Sequence, residues 1–390
     1  MTSEIRSAAQ PPHAAGRDAA SSQPVAAEAE PSPTRQARLA RQPAQGLSGL
    51  LLLVIPVAVI LAFAVDGAEG STIVLGPLAV FALTPAATIA FWWDNWPGTR
   101  LRANWSGWAD TLLIAVIAVA LTICGQLVVG RFDLRGIFSP NPGPGHSPVF
   151  PITLPLAGAA FVAIMQLTFV CERWPFSRLG STVGGLLALA AAWAAALVLF
   201  FGLVGFQPPP DSGLIARSGP LAPADLGALL VLTGLWQVWF YIAWDGWPFT
   251  RLTSRRTRLL AGNAVVVGAG IITYLLADAA GLAAVTLIAV GGSFIAAALL
   301  LGLLFDGWLP GSPKPSLSRP ITVVVDLVLA AILYAAVNAY ANHLHWTIAE
   351  PVEWVAHVML NAIAFSVILH VAIGQRWPFG RKEDDQGGPS

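Results

Sequence analysis

Of the chain's 390 residues, 56% are hydrophobic and 11% charged, and the formal net charge is zero. Soluble domains carry roughly a quarter charged residues, so this composition belongs in a lipid bilayer. The absence of net charge also removes the general electrostatic case for a nucleic-acid partner.

Residues 1–46 are rich in Ala, Pro, Ser, Gln and Arg without any apolar period, which predicts a disordered cytoplasmic tail. The length of that leading region argues against a cleaved signal peptide. Ten apolar stretches follow, at about 47–65, 73–93, 109–129, 152–171, 182–205, 224–244, 257–278, 283–305, 320–340 and 352–374. Each offers about twenty residues, enough to cross a hydrocarbon core of about 30 Å at about 1.5 Å per residue. Stretches such as "LLALAAAWAAALVLF" lack the alternation that a membrane β-barrel requires. The expected fold is an all-α integral membrane protein with ten transmembrane helices in residues 47–378, ending in a short cytoplasmic tail at 379–390. Cys124 and Cys171 fall inside apolar stretches without metal-ligand spacing and read as small buried hydrophobes.

The even-numbered stretches all end in versions of one motif: "DNWPGTRL" from 94, "ERWPFSRL" from 172, "WDGWPFTRL" from 244, a degraded "DGWLPGSPK" from 306 and "QRWPFGRK" from 375. The pattern W-P-F-[ST]-R at this period predicts five repeated helical hairpins. Trp96, Trp174, Trp247, Trp308 and Trp377 sit where an indole places its ring in the lipid boundary and its N–H in water. Proline then stops the helix, and Arg100, Arg178, Arg251 and Arg381 face anionic headgroups. Asp94, Glu172, Asp245 and Asp306 are spaced to pair with those arginines or with the next unit's. All but three of the 21 Lys and Arg residues lie in the motif loops and tails; Arg131, Arg135 and Arg217 are the exceptions. By the positive-inside rule the motif loops and both termini are cytoplasmic, and the Ala-, Gly- and Pro-rich vocabulary suits a bacterial inner membrane.

Soluble-enzyme motifs such as a phosphate loop, HExxH or GxSxG do not occur. Polar residues inside the apolar stretches are the remaining signal: Asp110, Gln126, Gln166, Gln237, Asn263, Asp326, Asn338, His357, Asn361 and His370. The amides suit interhelical hydrogen bonding, and Asp110 suits a helix N-terminal dipole. Trp236 and Trp239 share a helix face, where they fill the bundle or line a cavity.

Four of the six histidines cluster in the last hairpin. Glu353, His357 and Asn361 span about an 80° arc of one helix, forming a polar stripe that descends from the outer surface. With Asn338 and Tyr334 opposite, they are the candidate lining of a solute pathway. His343, His345, Glu353 and His357 are the candidate ligands of a divalent metal. Three functions compete on these grounds. The first is a permease or channel-like protein for a small solute. The second is a scaffold that anchors a protein partner at its cytoplasmic loops, and the third is a membrane metalloenzyme acting at its outer face.

Overall fold

The computed structural model describes residues 37–309 and 315–379. Most of the N-terminal tail, all but one residue of the C-terminal tail, and Arg381 lie outside the described residues. Nine helices among those described are long and apolar enough to cross a membrane. These are α1 (Ala44–Phe63), α2 (Gly67–Phe91), α3 (Trp105–Val129), α5 (Ser181–Leu203), α6 (Pro223–Ala243), α7 (Arg255–Ala279), α8 (Ala284–Leu304), α9 (Leu317–Ala341) and α10 (Pro351–Ile373). The stretch at 152–171 forms a shorter apolar helix, α4 (Leu154–Val170), because turns around Pro151 delay its start. The protein is thus an α-helical, multi-pass membrane protein.

The helices form two concentric layers. Each of α2, α4, α6, α8 and α10 packs against the next in that series, and α10 returns to α2, so the inner layer closes into a ring. Outside it, α3, α5, α7 and α9 pack on α2, α4, α6 and α8 respectively, while α1 packs on both α10 and α2. Burial follows this arrangement: 78% of the apolar window of α2 is buried, against 11% for α9. The outer helices present large apolar side chains such as Leu112, Val198, Leu260 and Ile332 outward, which suits hydrocarbon rather than water. Cys124 is exposed on α3 and Cys171 is half-buried, both as free thiols, so neither is the buried hydrophobe expected. Small residues let the layers approach. A Cβ on Gly125 of α3 would fall 2.3 Å from the Phe81 ring of α2, and one on Gly270 of α7 would fall 2.4 Å from Thr233 Oγ1 of α6.

All five inner helices end with the same backbone solution. The residue three before the motif tryptophan donates its N–H five residues back: Trp93 to Thr88, Cys171 to Gln166, Trp244 to Trp239, Phe305 to Leu300 and Gly374 to Leu369. This is a π-type turn that widens the helix at its end. The next two residues are both left-handed: Asp94–Asn95, Glu172–Arg173, Asp245–Gly246, Asp306–Gly307 and Gln375–Arg376. The second of each pair donates six residues back, closing the helix end, as from Arg173 to Leu167 and from Arg376 to His370. The position two before the tryptophan therefore has a backbone reason to be Asp, which tolerates φ > 0 better than most side chains.

Among the described residues, ion pairs that link successive exits include those of Glu172 and Asp306. Glu172 accepts from Arg255 Nε at 3.0 Å and from Arg258, both at the start of α7, beyond the next exit. Asp306 accepts from Arg376 Nη2 at 2.7 Å, and Arg376 also donates to the carbonyls of Leu303 and Leu304. Arg100 and Arg251, by contrast, lie over their own motif indoles, 5.5 Å from the Trp96 ring and 5.7 Å from the Trp247 ring.

Candidate functional site: a cavity inside the inner ring

The five inner helices line a cavity of about 240 Å³. Its lining repeats in register with the motif tryptophans. Twenty residues before their own tryptophan stand Gly76, Leu154, Gly227, Ile288 and His357; thirteen before stand Leu83, Phe161, Gly234, Ile295 and Ala364. Nine before stand Ala87, Met165, Val238, Leu299 and Ile368. In the layer sixteen before, Val80, Gly158, Val231 and Asn361 line the space; five before, Phe91, Phe169, Ile242 and Leu303 do. The residues that break this apolar pattern most sharply are Glu353, His357 and Asn361, all on α10.

His357 is buried, and its Nε2 lies 3.0 Å from the carbonyl oxygen of Leu61 on α1. A carbonyl only accepts, so Nε2 carries the proton and Nδ1 presents a lone pair. Asn361, one turn further, donates from Nδ2 to that Nδ1 at 3.3 Å. Its Oδ1 is buried without a hydrogen-bond partner. Glu353 Oε2 accepts from the backbone N–H of Glu350 at 2.8 Å, closing the first turn of α10.

Other expectations separate from this site. Asn338 and Tyr334 do not line the cavity; they sit on the outer helix α9, where Tyr334 packs against the apolar core. His343 and His345 are exposed in the loop before α10. Among the described residues no group of three or more His, Cys, Asp and Glu side chains is arranged to hold a metal ion, so His343, His345, Glu353 and His357 do not assemble as a ligand set. The physical reason is that His357 is buried against α1 and α2 while the loop histidines stay at the surface. Trp236 stacks on Trp239 and on Phe240, each at 5.5 Å, and donates to Thr273 Oγ1 of α7; this pair is packing.

The amides do join helices. Gln237 Nε2 donates to Gln166 Oε1 at 2.6 Å, and Gln166 Nε2 donates to Asn263 Oδ1 at 2.9 Å, tying α4, α6 and α7. Gln126 donates to the Asp133 and Ser147 carbonyls and so holds the long loop after α3. Asp110 has a role other than the dipole one expected: its Oδ1 accepts from the N–H of Gly98 in the first exit turn. Asp326 is buried, its Oδ1 has no hydrogen-bond partner, and it shares a small void with Trp239, whose Nε1 is also unpartnered.

Sequence reasoning missed Glu69. At the start of α2 its carboxylate accepts from the backbone N–H groups of Thr347, Ile348 and Ala349 and from Thr347 Oγ1. It closes the ring between first and last hairpins at the end opposite the motif. Nothing local marks it, since one acid at a helix start is ordinary. Residues 38–45, assigned by composition to the tail, also reach the ring: Gln42 Nε2 donates to Asp306 Oδ2 at 2.8 Å and Arg38 Nε lies 3.6 Å from Asp306 Oδ1.

Fold and site together define a polytopic helical membrane protein with a mainly apolar central cavity. No protein-family model, curated protein or solved structure matches the chain.

Proposed function

We propose that this is a permease or channel-like protein whose solute occupies the central cavity, in a bundle of ten spans made from five repeated hairpins with both termini and all exits cytoplasmic. The observation that carries this reading is a closed inner ring around a cavity whose one strongly polar wall is contributed by α10. Sites of this kind, mostly apolar with a few convergent polar groups, are where small molecules bind, and a polar residue within a span needs a reason of this sort. The shared cavity register supports repetition of the unit, and the basic residues support the orientation.

Transport is tested in proteoliposomes with a panel of labelled amines, alcohols, sugars and amino acids. A Cβ on Gly158 would meet nothing nearer than Leu230 at 3.9 Å, so Gly158→Trp fills the cavity with little disturbance to the wall. The expected result is that at least one solute crosses faster with the unaltered protein than with Gly158→Trp. Equal rates for every member of the panel overturn the reading.

The exposed indoles of Trp174 and Trp377 at the exits favour, second, a scaffold that holds a protein partner there. Under that reading Trp174→Ala removes a co-purifying partner and Gly158→Trp does not.

A further inference from the structure

We propose that the cavity receives a single-chain amphiphile whose head carries a hydrogen-bond donor and no negative charge. This rests on the permease reading of the same cavity and names its solute class.

Polarity is concentrated toward one end of the cavity. Glu353, His357 and Asn361 stand 24, 20 and 16 residues before Trp377, whereas the layers thirteen, nine and five residues before the motif tryptophans contain only apolar residues and glycine. The one polar side chain lining that part is Gln237, ten before Trp247, whose Nε2 is held by the Val162 carbonyl and Gln166 Oε1. At about 1.5 Å per residue the apolar part runs roughly 16 Å beyond Asn361, a length that suits an extended alkyl chain. An apolar cavity of roughly 150 Å³ already admits a benzene ring, so the larger volume here has room for a chain and a small head.

The polar end offers acceptors. With Nε2–H of His357 committed to Leu61 and Nδ2–H of Asn361 committed to His357, Asn361 leaves Oδ1 unpartnered in a side chain only 7% exposed. Glu353 contributes a carboxylate to the same lining, and none of the lining residues is Lys or Arg. A carboxylate or phosphate head would meet a like charge at Glu353 with no cation to balance it and only the second N–H of Asn361 Nδ2 to donate to it. A hydroxyl or amine head instead donates to Asn361 Oδ1, and an amine is also favoured by Glu353.

Only the fifth inner helix presents this chemistry. The positions equivalent to His357 and Asn361 are Gly76 and Val80 on α2, and Gly227 and Val231 on α6. A Cβ on Gly76 would come within 3.5 Å of His357 Nδ1, so a glycine faces the histidine and leaves space beside it. The head is read from one wall while the surrounding helices make room.

The test uses the full chain in lipid nanodiscs with radiolabelled decylamine and decanoate, subtracting partition into protein-free nanodiscs. The expected result is saturable decylamine binding near one per chain, with decanoate at least about tenfold weaker. Asn361→Leu weakens decylamine about tenfold, and Gly158→Trp removes binding. Equal affinity for the two probes, or unaltered binding in Gly158→Trp, overturns the assignment. Should Asn361→Leu fail to fold, the preference of the unaltered protein decides. Binding with this preference but no transbilayer movement supports the assignment and retires the permease reading alone; movement of a solute that decylamine does not inhibit retires the assignment alone.

Discussion

Two successive left-handed residues burden any side chain with a Cβ by roughly 1–2 kcal/mol each, and the five exits meet that burden unevenly. Asp245–Gly246 uses favourable types, whereas Gln375–Arg376 uses neither. Gly246→Ala should therefore lower detergent stability by about 1–2 kcal/mol, the more so because a Cβ there falls 2.9 Å from Thr250 Cγ2. Gln375→Asn at an exposed position should raise stability by up to about 1 kcal/mol. Thermal unfolding in detergent checks both, and a neutral or stabilising Gly246→Ala would contradict the account. A second residue under strain is Asp326, buried with an unpartnered oxygen. Replacing it with Leu should stabilise the bundle by about 1–3 kcal/mol; a destabilised variant would show that the carboxyl has a partner worth keeping. That an inner helix ends at each motif was legible, but what ends it was not: the π-type turn and the left-handed pair close the helix before the tryptophan and proline are reached, and Trp247 buries its Nε1 without a partner instead of placing it in water. The reason for the acid was not legible, because backbone φ is invisible in a spelling that ion pairing explains equally well.

At the scale of elements, successive hairpins are held by contacts that skip along the chain. Arg376 caps the end of α8 and pairs with Asp306, to which Gln42 also donates, so one side chain joins the exits of α8 and α10 to the start of α1. Arg376→Leu should loosen this junction and lower stability by about 2–4 kcal/mol, read as a lower melting temperature. The Glu172 junction makes a pH prediction. Its hydrogen bond from Arg258, and secondarily Arg255, holds the carboxyl below its ordinary value of 4.5, against an opposing effect of burial. A depressed folded pKa means that the contribution is fully present above the ordinary value and is lost as pH falls through the folded one. The difference in melting temperature between the unaltered protein and Glu172→Gln should therefore be constant from pH 7 to 6 and vanish below the ordinary carboxylate range. The side chain is one-third exposed, so the whole effect is under about 1 kcal/mol. A difference that grew on acidification would reverse the assigned sign. Sequence spacing expected these acids to pair with the motif arginines or the next unit's; Glu172 and Asp306 instead take Arg255, Arg258 and Arg376, none of which stands at the motif's arginine position.

For the molecule as a whole, topology is checked by cysteine labelling. Single cysteines at the exposed positions Arg178 and Arg251 should react with a membrane-impermeant maleimide only after inner-face access is opened. Reaction from outside intact cells would invert the bundle. Sequence alone determined that the chain lives in a bilayer, that its spans are helical and where most of them end. Hydropathy and helix termination are local and additive, so they survive without knowledge of neighbours. The polar stripe of Glu353, His357 and Asn361 was legible for the same reason, being one face of one helix. Only the tertiary structure decided what that stripe faces. It excluded Asn338 and Tyr334 from the lining, left His343 and His345 at the surface and brought Gly76 opposite His357. It also revealed Glu69 holding residues 347–349, a contact across most of the chain. Which helix packs inside is set by shape and hydrogen bonding between segments far apart in sequence, because in lipid both layers are apolar and hydrophobicity no longer separates inner from outer.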